Sequence, residues 1–544
     1  GITRAGHTAG SSQKLPEVTF LGQQLANRVD TTGDGIPPIV RYRVRQVNTE
    51  TGSAINVTYS EPECTPGNLP AEATNTKRCY PVYWSSADSP AADYKPGKDW
   101  FHKYVVTRVL EDDLVGGSPA QQTDYTYVGG AAWAKSEDEL TKPEHRTYSD
   151  FRGYGEVRTQ VGNGTDGPKL DTRTRYFRGI EGAKVADFEG NEVDDHPAFA
   201  GMERAEAEYN DGELISEETT TPWRKGPTAS RARPGLSALT AYMTDVAVET
   251  TRSPLKGGGW QRTKSERTFD EYGMLASETD HGDTAKTGDE TCTTMTYARN
   301  TGANILELEA SEKTTAGTCA DPGELISEER TYYDGSTTLG AAPTRGNATR
   351  QDENDDKGTG FITVATTSYD AYGRPVKVTD AQNRAMTTEY TPATGMPTRM
   401  VVTNPLGHTL TTELDAERGV PVAEIDANGK RTDIAYDALG RVTKVWEPGR
   451  SKSRYPDSPS AAYEYRISRT EAPAITTREL RGDGSTETSY TLYDGLLRER
   501  QVQMPALGKS GRVLTETLYD SRGLEWKIYD HYYATGDPEP TLVA

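Results

Sequence analysis

Catalysis needs reactive side chains at workable spacing, and this chain scatters them. Its seven histidines stand at 7, 102, 145, 196, 281, 408 and 531. None falls in H-E-x-x-H spacing, and neither a G-x-S-x-G elbow nor a G-x-x-x-x-G-K-[ST] phosphate loop is present. Carboxylates are so plentiful that no pair stands out as a glycosidase couple. One acidic phrase has metal-ligand spacing: Asp30, Thr32 and Asp34 alternate ahead of Gly35, as oxygen ligands do in calcium loops. Against calcium, the middle position is Thr and no bidentate Glu follows at the usual offset, so an Asp-Gly turn competes with a bound ion. Arg481-Gly482-Asp483 spells an integrin-type tripeptide, but Asp483-Gly484 is also an ordinary hairpin turn. No enzymatic role is expected from these residues, and no cofactor beyond the possible calcium.

The four cysteines form two sequence-local pairs, Cys64 with Cys79 and Cys292 with Cys319. Neither has C-x-x-C spacing or nearby histidines, which argues against zinc. Four cysteines allow three connectivities, and the local one is expected because each pair brackets a loop rich in Gly, Pro or Thr. Two disulfides would place the protein in an oxidising compartment, secreted or at the cell surface. Four free thiols in a cytosolic protein is the competing reading.

The elements that must carry these residues announce themselves through a repeated turn. Tyr369-Asp370-Ala371-Tyr372-Gly373-Arg374 returns as Tyr436-Asp437-Ala438-Leu439-Gly440-Arg441, with partial copies from Asp380, Asn404 and Asp426. Looser copies start at Tyr493-Asp494 and Tyr519-Asp520, and degenerate ones at Asp150, Tyr209, Phe269 and Tyr333. Asp or Asn opens a type I turn by bonding the backbone two residues on. Gly or Asn in the fourth place accepts the left-handed conformation that closes a hairpin through a bulge. The flanks alternate with period two: Thr432, Ile434 and Tyr436 against Arg431, Asp433 and Ala435. The unit is strand, tight turn, strand. The Arg of each turn is expected to pair with the carboxylate of a neighbouring turn.

The phrase Tyr-Asp-x-x-Gly-Arg resembles the YD repeat of RHS proteins of the bacterial polymorphic-toxin type, as found in actinobacteria. That resemblance implies a long ribbon of antiparallel hairpins curling into part of a hollow β shell around a C-terminal toxin of the same parent polypeptide. It also implies FG-GAP-like loops near the start, matching the phrase at 30–35. Release of the toxin in that family accompanies an Asp-Pro motif, but the surroundings of Asp537-Pro538 do not match it and no catalytic residue carries over. Related YD-repeat shells in animal teneurins make a surface adhesin, or a carbohydrate-binding protein, the rival reading.

Composition agrees with an all-β chain. Only 33% of the 544 residues are hydrophobic, yet 30 are Tyr and 53 are Gly. Tyrosine suits a single-layer sheet wet on both faces, its ring packing while its hydroxyl reaches water. A net charge of −21 argues against nucleic acid, whose phosphates need a basic surface. No 18-residue apolar run marks a membrane span, and the polar start, Gly1–Lys14, lacks the core of a signal peptide. The chain is therefore expected to be processed or an internal piece of something longer. Four regions are expected: a lead-in at 1–35, a β region with a disulfide-pinned insertion at 36–147, degenerate repeats at 148–360 and regular repeats at 361–544. A short helical turn is expected at 136–140, and loops at 222–235, 252–259 and 310–318. A ribbon of this length must curl to stay compact, and an incomplete, trough-like wall with an exposed inner face is the expected shape.

Overall fold

The computed structural model describes residues 1–8, 10–30, 35–85, 96–355, 358 and 360–543. Among them, 30 strands join in one antiparallel sheet. Its ladder starts at Thr19–Ala26 and passes through Val40–Asn48, Ser53–Tyr59, Val106–Asp113, Gln121–Val128, Glu156–Val161 and Leu170–Tyr176. It continues through Glu203–Asn210 and then every strand in order to Glu525–Ala534. Each strand pairs with the one before and the one after, so the fold is a hairpin ribbon.

A single layer has little interior, and the surface shows it. The accessible area is 30119 Å², whereas a compact monomer of this mass exposes about 19,000 Å². Three clusters of buried apolar residues sit instead beside small inserted sheets, and a fourth, of Ala472, Ala474 and Leu492, lies on the main ribbon. Cys79–Trp84 pairs with Gly97–His102 beside the Val29/Cys64/Cys79 cluster. Trp133–Ala134 pairs with Asp150–Phe151 over Ala131, Trp133 and Tyr154. Lys184–Ala186 pairs with Glu192–Asp194 near Phe177, Val185 and Phe199.

Several local expectations need correction. The segment 222–235 is not a loop: Glu213–Arg233 and Leu236–Pro254 are 21- and 19-residue strands of one long hairpin arm. Register shifts at Thr221/Pro222 and between Lys225 and Ala229 absorb the prolines that suggested a break. At 252–259 only the tip turns, because Arg252, Ser253 and Pro254 pair with Arg262, Gln261 and Trp260. The stretch 310–318 belongs to the strand Ile305–Thr318, which pairs with Asp321–Tyr333; threonines favour the pleat. No helical turn forms at 136–140. Asp138 accepts from Leu140 N and Thr141 Oγ1 in a side-chain-closed turn, and a 3-10 turn follows at Pro143–His145.

The ribbon is more than a trough. Its last third comes round onto its first, so residues 355 to 450 positions apart hydrogen-bond.

Candidate functional site

The repeat turn shows why its consensus reads as it does. In the turn at 437–441, Leu439 N and Arg441 N both donate to Asp437 Oδ1, at 2.9 and 3.0 Å. Asp437 N donates to Arg441 O and Gly440 N to Asp437 O. The copy at 370–374 is the same bond for bond, with Tyr372 N and Arg374 N on Asp370 Oδ1. Gly373 and Gly440 have φ of 77° and 85°, and a register shift precedes each turn at Ser368/Tyr369 and Ala435/Tyr436. One carboxylate thus satisfies two backbone donors that a turn otherwise leaves to water.

The arginine corrects the expectation of pairing between turns. Arg374 Nε reaches Asp370 Oδ2 of its own turn at 2.6 Å, and Arg441 and Arg498 reach Asp437 and Asp494 at 2.7 Å. The carboxylate's second oxygen points along the turn, so the fifth residue is the nearest cation. Partial burial raises the Asp437 pKa, but the Arg441 amide and guanidinium more than offset it and hold the carboxyl below its ordinary range. The neighbouring arrangement does occur where the fifth residue is Met274: there Arg299 of the next hairpin binds Asp270.

Fixed by its own Asp, the guanidinium becomes a platform for the following hairpin. Arg374 lies 4.4 Å from the Tyr390 ring, Arg441 4.4 Å from Tyr465 and Arg498 4.4 Å from Tyr519. In each case the tyrosine hydroxyl then donates to the carbonyl just after that arginine: Pro375 at 3.2 Å, Val442 at 2.9 Å and Glu499 at 2.8 Å. Ring and hydroxyl together latch one hairpin to the next. This linkage gives three of the 30 tyrosines a structural job.

Three turns do a second job at the seam between windings. The Gly6 backbone lies against the Ala438 carbonyl, which also accepts from Arg418 Nη2 at 2.7 Å. Gly495 N donates to Asp113 Oδ1 at 2.8 Å while Thr51 Oγ1 donates to Gly495 O at 2.6 Å. Ser521, fully buried, donates through N and Oγ to Asp166 at 2.9 and 2.6 Å. Gln122 N donates to the Ser521 carbonyl at 3.0 Å. Asp494 and Asp520 are buried beside these contacts, whereas Asp370 is only half-buried. Sequence reasoning missed the seam. Its one signal is Y-D-G-L-L-R, where Gly495 takes the second place because a side chain would overlap the Gly52 carbonyl, and Leu497 takes the left-handed place with φ 63°.

The cysteines form two bonds, Cys64 to Cys79 and Cys292 to Cys319. The first closes an irregular loop; the second ties the strand Thr291–Asn300 to the tip of the Ile305–Tyr333 hairpin. Thr32 and Asp34 lie outside the described residues, and Asp30 accepts from Arg28 Nη1 at 3.2 Å. Among the described residues no group of three or more metal-binding side chains converges. Arg481-Gly482-Asp483 forms a turn in which Arg481 ion-pairs with Glu487 and Asp483 caps Ser485 N at 2.8 Å.

A polar cavity of about 440 Å³ under the long arm holds Glu137, Glu181, His196, Arg152 and Arg233. Four of these five groups are engaged: Arg233 binds Glu137, Arg152 binds Asp150, and His196 Nδ1 accepts from Ala198 N. Burial and the nearby Arg224 hold the His196 imidazole below its usual pKa. The arrangement seats the arm. No described helix is long and apolar enough to cross a membrane.

No family model matches the sequence, and no curated protein sequence is similar to it. Solved structures do match. The TcdB2-TccC3-Cdc42 crystal structure aligns at TM-score 0.64 and 12% identity, over 90% of this chain and 33% of that one. TcdB2-TccC3 gives 0.62 and 13%, over 90% and 32%. The Photorhabdus luminescens Tc holotoxin pore gives 0.63 and 12%, over 90% and 33%. The chain thus spans about a third of the length of these neighbours and shares with them an RHS-type shell fold.

Proposed function

We propose that this chain is a non-catalytic wall of an RHS-type β shell, enclosing or displaying a C-terminal toxin or effector segment of the same parent polypeptide. The observation that carries the reading is the single-layer ribbon whose last third meets its first through hydrogen bonds of the repeat turns. Such a seam commits polar side chains to holding a wall closed. The likeness to Tc toxin shells supports the same role, and two disulfides suit a secreted or surface protein. Calcium at Asp30, Thr32 and Asp34 remains part of the proposal, as a local brace of the lead-in. The test is to express the chain together with the polypeptide that follows it in the parent reading frame and to add protease. Enclosure predicts that the following segment survives while the same segment alone is digested. Equal digestion of both would contradict the reading.

A further inference from the structure

The last described residues do not extend the ribbon; they cross one of its faces. After the strand Glu525–Ala534 the chain turns back, and 537–543 lies extended over Glu499–Pro505 and Arg512–Tyr519. It is held there by side chains, with no backbone ladder. Gln503 Oε1 accepts from Glu539 N at 3.0 Å and Gln503 Nε2 donates to Thr541 O at 2.7 Å. Gln501 makes the reciprocal pair with Val543, donating to its carbonyl at 2.8 Å and accepting from its N–H at 3.0 Å. A glutamine amide has a peptide group's donors and acceptor, so two of them two residues apart on a strand act as a short surrogate β-edge.

Both glutamines are buried, at 1% and 0% exposure, in a sheet where such residues are otherwise unexpected. They are bonded to one another at 2.9 Å, which fixes their orientation. Arg512 supplies the charge: its Nη1 donates to the Asp537 carbonyl and to Glu539 Oε1, each at 2.9 Å. Arg466 donates to the Pro540 carbonyl. Leu542 packs onto an apolar floor of Ala472, Ala474 and Leu492. Pro538 and Pro540 lack N–H groups, so the segment favours an extended form and can join no regular ladder.

We infer that this face is a peptide-binding groove, and that 537–543 is an exchangeable internal ligand. Gln501 and Gln503 read main chain, Arg512 selects an acidic residue, and the Ala472/Ala474/Leu492 floor takes a leucine three positions later. The ligand class is a proline-containing, extended, acidic peptide. The groove stands whether or not the wall encloses a cargo, since it uses this chain's residues alone.

The test uses the full chain carrying Glu539→Lys and Leu542→Asp, which removes the two side-chain anchors. The probe is a fluorescent peptide with the unaltered sequence of residues 536–543. Hydrogen exchange at the Glu539 and Val543 amides is expected to accelerate at least tenfold, and the peptide to bind at least tenfold more tightly than to the unaltered chain. Adding Gln503→Leu should abolish that gain. A probe carrying the same two substitutions should also fail to bind, a control that leaves the protein's folding untouched. Amides that stay protected would show a fixed part of the wall and overturn the inference. Freed amides without binding, or binding indifferent to both the Gln503 change and the probe's substitutions, would overturn it too.

Discussion

At the residue scale, the repeat is an economy of one carboxylate. Asp370 and Asp437 cap two amides each and orient an arginine, which in turn carries the next tyrosine. The first half of this was legible, because an Asx turn is a bond between residues two and four apart. The second half was not: the tyrosine that uses Arg441 comes 24 positions later. The left-handed place gives a direct prediction. Gly373→Val should destabilise by at least about 1 kcal/mol, and Ala371→Val, at an exposed position of the same turn, by distinctly less. Equal denaturant midpoints would count against the turn geometry. Asp334 gives another. Its carboxylate accepts backbone N–H bonds from Thr344, Arg345, Gly346 and Asn347. Burial opposes the charge, but these four donors more than offset it and lower the carboxyl pKa to about 2. The folded carboxyl releases its proton more readily than the unfolded one, so the clamp stabilises above about pH 4 and the benefit fades as pH falls toward 2. The stability difference between the protein and Asp334→Asn should therefore shrink over that interval. A constant difference from pH 6 to pH 2 would sink the assignment.

At the element scale, the strands were readable and the arms were not. Period-two alternation located Arg431–Tyr436, yet it could not say which face turned inward, because a single layer half-buries both. Asp433, for instance, is buried and accepts from Arg431 on the same face. Proline and glycine marked 222–235 as a break, where bulges carry the strand through. What holds the arm is distant: Arg231 binds Glu139 and Arg233 binds Glu137, partners more than 90 positions away that leave no local trace. The disulfides belong to this scale. Cys292 and Cys319 are 27 positions apart, and closing a loop of that length restricts the unfolded chain by about 3.5 kcal/mol on the chain-entropy model. Replacing both by Ser should lower the unfolding free energy by up to that amount while leaving the strand content intact by circular dichroism. Loss of all strand signal would mean the bond organises the sheet instead of stapling it.

At the scale of the whole molecule, three turns meet three earlier segments in the same order along the chain: 438 with 6, 495 with 51 and 113, 521 with 122 and 166. That order is what a spiral requires, and it converts a ribbon into a wall that closes on itself. Apart from the altered turn at Gly495, the sequence leaves little trace of it, since each partner contributes one or two residues and their separation is set by the circumference. The strand pairing reaches from Thr19–Ala26 to Glu525–Ala534, and both of these strands expose large apolar side chains, among them Phe20, Leu21, Trp526 and Ile528. The curvature and the absence of a filled interior are therefore the central claim. Small-angle X-ray scattering measures both directly. A solid chain of 544 residues has a radius of gyration of about 24 Å; the wall predicts a clearly larger value, with a distance distribution weighted toward long vectors, as a shell requires. A radius near 24 Å with the symmetric distribution of a filled globule would contradict it.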